Sequence, residues 1–165
     1  MTDLEVKKMD ARETNYFIRK MLKDNYPGVK FRVRKSELAS IHISWEDGPK
    51  KSAVNSLIDP LKSGDFDGMQ DHGANSGNIF EYDGKKYISG AGYIYIYRTL
   101  SDDLQKNAWE YIRGRYALCE GIEEIDYGTP EFENIRLTLG SGMVPASVVV
   151  RDYLEGFGFW VNSKK

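Results

Sequence analysis

Two segments decide the fold of this chain: Val29-Lys30-Phe31-Arg32-Val33-Arg34 and, after a short polar turn, Ser40-Ile41-His42-Ile43-Ser44-Trp45. In each segment every second residue is apolar, and most of these residues are β-branched or aromatic. This period of two predicts a half-buried β-hairpin. The face toward the core should carry Val29, Phe31, Val33, Ile41, Ile43 and Trp45. The solvent-facing side should carry Lys30, Arg32, Arg34 and His42.

Helical patterns flank this hairpin. Met9 to Asp24 predicts a first helix, in which Asp10 caps the N-terminus and Glu13 completes a capping box. A second helix should begin at Pro49, because proline is pre-organised for the first helical position. Pro60 should disturb or end that helix.

Two more strand signals follow. Asp83-Gly84 lies between Asn78–Tyr82 and Lys85–Ser89, which predicts a hairpin with a type I′ turn. Tyr93 to Tyr97 alternates isoleucine with tyrosine and predicts another strand. Helix-capping residues at Ser101 then predict a helix that runs to about Tyr116.

The C-terminal third has weaker patterns. Ile135 to Leu139 favours a strand, Pro145 to Glu155 a helix closed by Gly156, and Phe157 to Val161 a short terminal strand. The fold class expected is α+β: helix, hairpin, helix, second hairpin and helix, with an antiparallel or mixed sheet covered by helices. We expect a tail at 1–9, a domain at 10–98, and a small α/β extension at 99–165 packed on it.

Composition excludes several classes of protein. The 165 residues carry a formal net charge of −2, which is neither the basic excess of a general nucleic-acid binder nor the acidic excess of a DNA mimic. The lone Cys119 predicts a reducing compartment, and two histidines with one cysteine are too few for the usual zinc site. No apolar stretch resembles a signal or a membrane span, so we expect a cytoplasmic protein without membrane contact.

The basic face of the first hairpin is the first candidate site. Lys30, Arg32 and Arg34, with His42, could follow a phosphate backbone. Cations of the first helix could extend this face: Arg12, Arg19, Lys20 and Lys23. The competing interpretation is a solvated outer face that resists edge pairing.

A tyrosine row and an aspartate loop are the other candidates. Tyr93, Tyr95 and Tyr97 could form an interface or stack on bases, but burial in a second core is the favoured interpretation. Asp65, Asp67 and Asp71 could bind a partner or gather ligands for a hard cation. An EF-hand is excluded because the twelfth position is Ser76, and turn capping is the favoured alternative, so no metal is predicted.

No motif of a known catalytic class is present. The chain lacks a Gly-x-Ser-x-Gly elbow, a P-loop, a dinucleotide-binding glycine pattern and a His-Glu-x-x-His motif. We therefore expect no catalytic residues and no cofactor.

Four segments together resemble one family: Ala11 to Lys20 (ARETNYFIRK), Tyr26 to Phe31 (YPGVKF), Ile41 to Pro49 (IHISWEDGP) and Gly64 to Asp71 (GDFDGMQD). Over about residues 10–98 the chain is similar to the large polyvalent protein-associated domain family, in its twenty-ninth class. The resemblance implies a protein of phages or conjugative elements, whose relatives are thought to protect incoming DNA from host defences. It implies no catalytic residues.

These observations lead to one functional prediction and two alternatives. The chain is predicted to be a non-enzymatic accessory protein of a mobile element that binds a host protein complex and inhibits a defence system of the restriction or CRISPR type. The first alternative is a nucleic-acid-binding protein that uses the basic face. The second is a metal-dependent phosphoesterase that uses Asp65, Asp67 and Asp71. The oligomeric state stays open.

Overall fold

The computed structural model describes residues 6–36, 39–62, 79–116, 119–139 and 141–157. The chain divides into two compact units at the peptide bond between Thr99 and Leu100. Each unit has its own apolar cluster. The class is α+β, as the sequence predicts.

The described residues of unit 1 form two helices and six strands. In chain order these are β1 Lys7–Lys8, α1 Ala11–Asn25, β2 Arg32–Lys35, β3 Ile41–Glu46, α2 Lys51–Ile58, a 3₁₀ turn Asp59–Leu61, β4 Ile79–Tyr82, β5 Lys85–Ile88 and β6 Ile94–Thr99. The central sheet has the order β2-β3-β6, with β2 antiparallel and β6 parallel to β3. A smaller sheet has the order β1-β5-β4.

The predicted hairpin forms the first two strands of the central sheet. Its strand β2 begins at Arg32 rather than at Val29, because the chain is still leaving a turn in which Gly28 has a φ of +95°. Val29 and Phe31 nevertheless pack on the core, and the Phe31 ring lies 5.4 Å from that of Trp45.

One face of the central sheet is buried under the two helices. The cluster joins α1 and α2 to the sheet through Ile18, Leu22, Val33, Ile41, Ile43, Trp45, Val54 and Ile58, with Ile94 and Ile96 packed against it. Each fully buried side chain of this kind contributes roughly 1.5–3 kcal/mol. Both helices described in unit 1 therefore pack on the same face of the sheet.

The first helix begins as the sequence predicts. The Asp10 carboxylate accepts hydrogen bonds from the backbone N–H groups of Arg12 and Glu13, each at 2.7 Å. The Glu13 carboxylate accepts in turn from the N–H of Asp10 at 3.0 Å. This is the reciprocal capping box.

The second helix begins later than the sequence predicts. Lys50 is its N-cap, and Pro49 still belongs to the preceding turn, in which Asp47 and Gly48 both have a positive φ. The indole N–H of Trp45 donates to the Pro49 carbonyl at 3.0 Å, which holds that turn in place. Pro60 lies in the 3₁₀ turn that ends the helix, as predicted.

The second hairpin has the predicted type I′ turn, with a φ of 51° at Asp83 and 69° at Gly84. Gly90, two residues after the end of β5, lies against the backbone before α1. A Cβ on it would come within 2.3 Å of the Met9 carbonyl oxygen. Its N–H donates to the hydroxyl of the buried Thr14 at 2.9 Å.

Unit 2 contains α3 Asp102–Arg115, α4 Pro130–Asn134, β7 Arg136–Leu139, β8 Gly142–Pro145 and α5 Ala146–Glu155. Strands β7 and β8 pair antiparallel. Trp109 and Phe132 lie at the centre of its cluster, with ring centroids 5.0 Å apart. The predicted helices at Ser101 and before Gly156 and the predicted strand near Ile135 are all present, whereas the expected terminal strand after Phe157 falls outside the described residues.

Candidate functional site

The register of the central sheet brings the predicted basic residues together with the tyrosine row. Arg34, His42 and Tyr95 are cross-strand neighbours on β2, β3 and β6. Arg32, Ser44 and Tyr97 form the adjacent row. Because side chains alternate along each strand, all six lie on the face opposite the apolar cluster. We call these six residues, with Tyr93, the open face.

The tyrosines of the open face are exposed. Tyr93, Tyr95 and Tyr97 are 58%, 43% and 51% accessible to solvent. The expectation that they form a second core is therefore wrong. The physical reason is that α1 and α2 both pack on the other side, against Ile94 and Ile96.

The imidazole of His42 joins the aromatic rings into one surface. Its centroid lies 5.0 Å from that of Tyr95 and 6.1 Å from that of Tyr97, with interplanar angles of 28° and 4°. Tyr93 stacks on Tyr95 at 6.2 Å. Neighbouring rings thus share nearly one orientation.

A basic groove lies beside the open face, between α1 and the segment that contains β2. It encloses about 520 Å³. Its cations are Arg19, Lys23, Lys30, Arg32 and Arg34, and its apolar lining is Leu22, Val29, Phe31 and Val33. We call this feature the basic groove. The sequence suggested Arg19 and Lys23 as possible extensions of the basic face, and both line it.

The remaining helix cations lie elsewhere. The ammonium group of Lys20 lies 6.0 Å from the centre of the Tyr82 ring, in the smaller sheet. Arg12 is exposed in the first turn of α1, and it does not line the basic groove.

The edge of β2 is partly closed by Arg19. The N–H of Ser36 donates to the Ser40 carbonyl, so the backbone groups of Arg32 and Arg34 face β3 while those of Val33 face outward. The guanidinium of Arg19 donates to the outward carbonyl of Val33. This contact ties α1 to the strand and hinders pairing with another strand.

The charges of the groove are unbalanced. In the part of the chain that the structure describes, none of the five cations forms an ion pair. Among the described residues, no carboxylate lines the groove either. In a protein with a net charge of −2 this is a strong local concentration of positive charge.

The three residues of the aspartate loop, Asp65, Asp67 and Asp71, lie outside the described residues. Within the described ranges, no three His, Cys, Asp or Glu side chains lie close enough to hold a metal ion. Cys119 is fully buried in unit 2. The described helices include none that is long and apolar enough to cross a membrane.

The fold and these surfaces define a small α+β domain with a cationic and aromatic surface. The chain belongs to the large polyvalent protein associated domain 29 family, whose model matches residues 9–101. This is a domain of unknown function found in proteins of phages and other mobile elements. The match covers the whole open face and the basic groove. No curated protein and no solved structure matches the chain.

Proposed function

We propose that unit 1 binds single-stranded nucleic acid on the open face of its central sheet. The observation that supports this most directly is the cross-strand register of Arg34, His42 and Tyr95. That register sets a guanidinium beside stacked, exposed rings. Bases would stack on the rings, while the arginines would neutralise phosphates.

The dimensions of the sheet suit a short stretch of single strand. Three strands span about 10 Å from the first to the third, since neighbours are about 4.8 Å apart. Sheet surfaces of this kind stack two or three bases, and each stacked base contributes roughly 1–3 kcal/mol. Bases inside a duplex present only their edges in the grooves, so the aromatic rings favour unpaired bases.

The family context is compatible with this function. A phage or mobile-element protein that acts in the cytoplasm of the host would meet the DNA of the element there. A non-enzymatic binding role also requires no metal or cofactor. The phosphoesterase alternative would depend on Asp65, Asp67 and Asp71, and no observation on the described residues favours it.

A second candidate function is binding to a host protein, with inhibition of a restriction or CRISPR complex as the outcome. The exposed Tyr93, Tyr95 and Tyr97 beside arginines favour it, because tyrosine and arginine are enriched at protein interfaces. The same surface would then contact an acidic patch on the partner.

The test is fluorescence anisotropy of a labelled thymidine oligonucleotide, about eight nucleotides long. We expect binding to the single strand, weaker binding to the matching duplex, and a steep loss of affinity between about 50 and 200 mM salt. Arg32→Glu with Arg34→Glu should abolish binding while the circular dichroism spectrum stays unchanged. Lys8→Glu with Lys85→Glu, in the smaller sheet, is the matched control.

Absence of binding at low salt, or an affinity independent of salt, would overturn the proposal. The protein candidate would then be tested by affinity purification from host lysate treated with nuclease. A stoichiometric host protein that the Arg32 and Arg34 variant fails to retain would support it.

A further inference from the structure

We infer that the basic groove binds the sugar–phosphate backbone of the same strand, so that the nucleic acid passes over the edge of the sheet and along α1. This inference rests on the proposed function of the open face. It adds a second contact region and the direction in which the strand leaves the sheet.

The local fold explains why the cations meet. After α1 the chain reverses at Tyr26-Pro27-Gly28, so the following segment runs back beside the helix as far as the contact between Arg19 and Val33. On α1, Arg19 and Lys23 are four residues apart and share one helix face. They therefore face Lys30 and the two arginines of β2 across the groove.

The arrangement of like charges is the evidence for an anionic ligand. Five cations line a groove of about 520 Å³, and none of the carboxylates that the structure describes lies among the lining residues. The Debye length is about 10 Å at 0.1 M salt, so neighbouring cations in one groove repel each other in the absence of an anion. A chain of phosphates would neutralise them together.

The apolar lining favours a nucleotide over a bare anion. Phe31 and Val29 are half-buried between the charged side chains, and their apolar surface can pack against sugars or a base. The volume lies in the range of pockets that hold small ligands, so the groove admits a nucleotide-sized group.

The groove is continuous with the open face. Arg32 and Arg34 line the groove and also belong to the two rows that lead to Tyr97 and Tyr95. A nucleic-acid strand stacked on the tyrosines of β6 can thus cross β3 to β2 and enter the groove. Arg32 and Arg34 would contact it at the point where it passes from the open face into the groove. The path predicts that affinity rises with length until both regions are covered.

The experiment measures the affinity of the full chain for thymidine oligonucleotides of increasing length, from about four to about sixteen nucleotides. The variant Lys23→Ala with Lys30→Ala removes two groove cations that are exposed and lie outside the open face. Arg19 is left intact because its contact with Val33 is structural. Lys8→Ala with Lys85→Ala is the control.

We expect the groove variant to bind the shortest oligonucleotide as the unchanged protein does. For the long oligonucleotide, affinity should fall roughly twentyfold at about 0.1 M salt, and the salt slope should fall by about 0.7 for each lysine removed. The control variant should match the unchanged protein at every length.

Three results would overturn the inference. In the first, short oligonucleotides bind, but Lys23→Ala with Lys30→Ala does not reduce the gain in affinity with length. The groove is then not part of the binding path, while the proposed function of the open face stands. If no oligonucleotide binds, both fail. If polyglutamate of equal charge competes as well as the long oligonucleotide, the groove responds only to negative charge and suits an acidic protein segment.

Discussion

Single residues decide whether the open face recognises a ligand or merely faces solvent. The ring of Tyr97 is half exposed and lies parallel to that of His42, so it contributes little to the core. Its contribution should therefore be seen in binding and not in folding.

Tyr97→Ala should weaken oligonucleotide binding by about 1–2 kcal/mol, since one base loses its stacking partner. The melting temperature should change little. Tyr97→Phe, which keeps the ring, should bind almost normally. Tyr16→Ala, which removes an exposed tyrosine of α1, is the matched control. The measurement is anisotropy together with thermal denaturation; equal loss in the alanine and phenylalanine variants would contradict stacking.

At Gly90 the expected effect is on folding alone. A Cβ there would lie 2.3 Å from the carbonyl oxygen of Met9 and 2.5 Å from the carbonyl carbon of Asp10, both of which are backbone atoms. Gly90→Ala should therefore lower stability by roughly 2 kcal/mol or more, because the backbone must shift.

Gly114→Ala is the opposite control. Gly114 lies inside α3 and a Cβ on it would meet nothing within 4 Å, so alanine should raise helix stability by about 1 kcal/mol. Thermal denaturation measures both variants. A neutral effect of Gly90→Ala would show that the segment before α1 adjusts freely.

At the scale of elements, the capping box of α1 makes stability depend on pH. The hydrogen bond from the Glu13 backbone holds the pKa of the Asp10 carboxyl below its ordinary value of 3.8. The hydrogen bond from Lys7 does the same for Glu13, whose ordinary pKa is 4.5. Lowered pKa values mean that these contributions are present above the ordinary values and are lost as pH falls through the folded ones.

Asp10→Asn should therefore lower the melting temperature at neutral pH and have a smaller effect well below pH 3.8, the ordinary pKa of Asp10. Asparagine still accepts the cap hydrogen bonds but cannot ionise. Glu110→Gln, which neutralises an exposed carboxylate of α3, is the control. A difference that stays constant as the pH is lowered would exclude the carboxylate as its source.

The elements with local signatures could be predicted from the sequence, and those that depend on distant pairing could not. The Asp83-Gly84 turn and the capping box of Asp10 and Glu13 can each be recognised from a segment of at most four residues. The parallel pairing of β6 with β3 has no local signature, so the sequence did not reveal that Tyr95 adjoins His42.

Short elements of unit 2 were also missed. The α4 helix has only five residues, although Thr129 caps it and Pro130 opens it, which is a recognisable signal. Strand β8 contains a glycine and a proline and has no alternating pattern. In the candidate site, too, the cations could be predicted from the sequence but their meeting in one groove could not. The groove forms only because the chain reverses after α1.

At the scale of the whole molecule, the open face and the basic groove belong entirely to unit 1, which has its own apolar cluster. A fragment of residues 1–99 should therefore fold and bind the oligonucleotide with an affinity within about twofold of the full chain. Circular dichroism and anisotropy test this. A folded fragment that binds much more weakly would assign part of the function to residues 100–165.

The parallel partner of β3 also has a kinetic consequence. About fifty residues separate β3 from β6, so that contact closes a long loop and is expected to form late in folding. Before β6 pairs with β3, the tyrosines of β6 are not yet in place across the sheet from Arg32 and Arg34 of β2. We therefore expect nascent chains that lack β6 to carry the positive charge without the stacking surface, and to attract nucleic acid without retaining it.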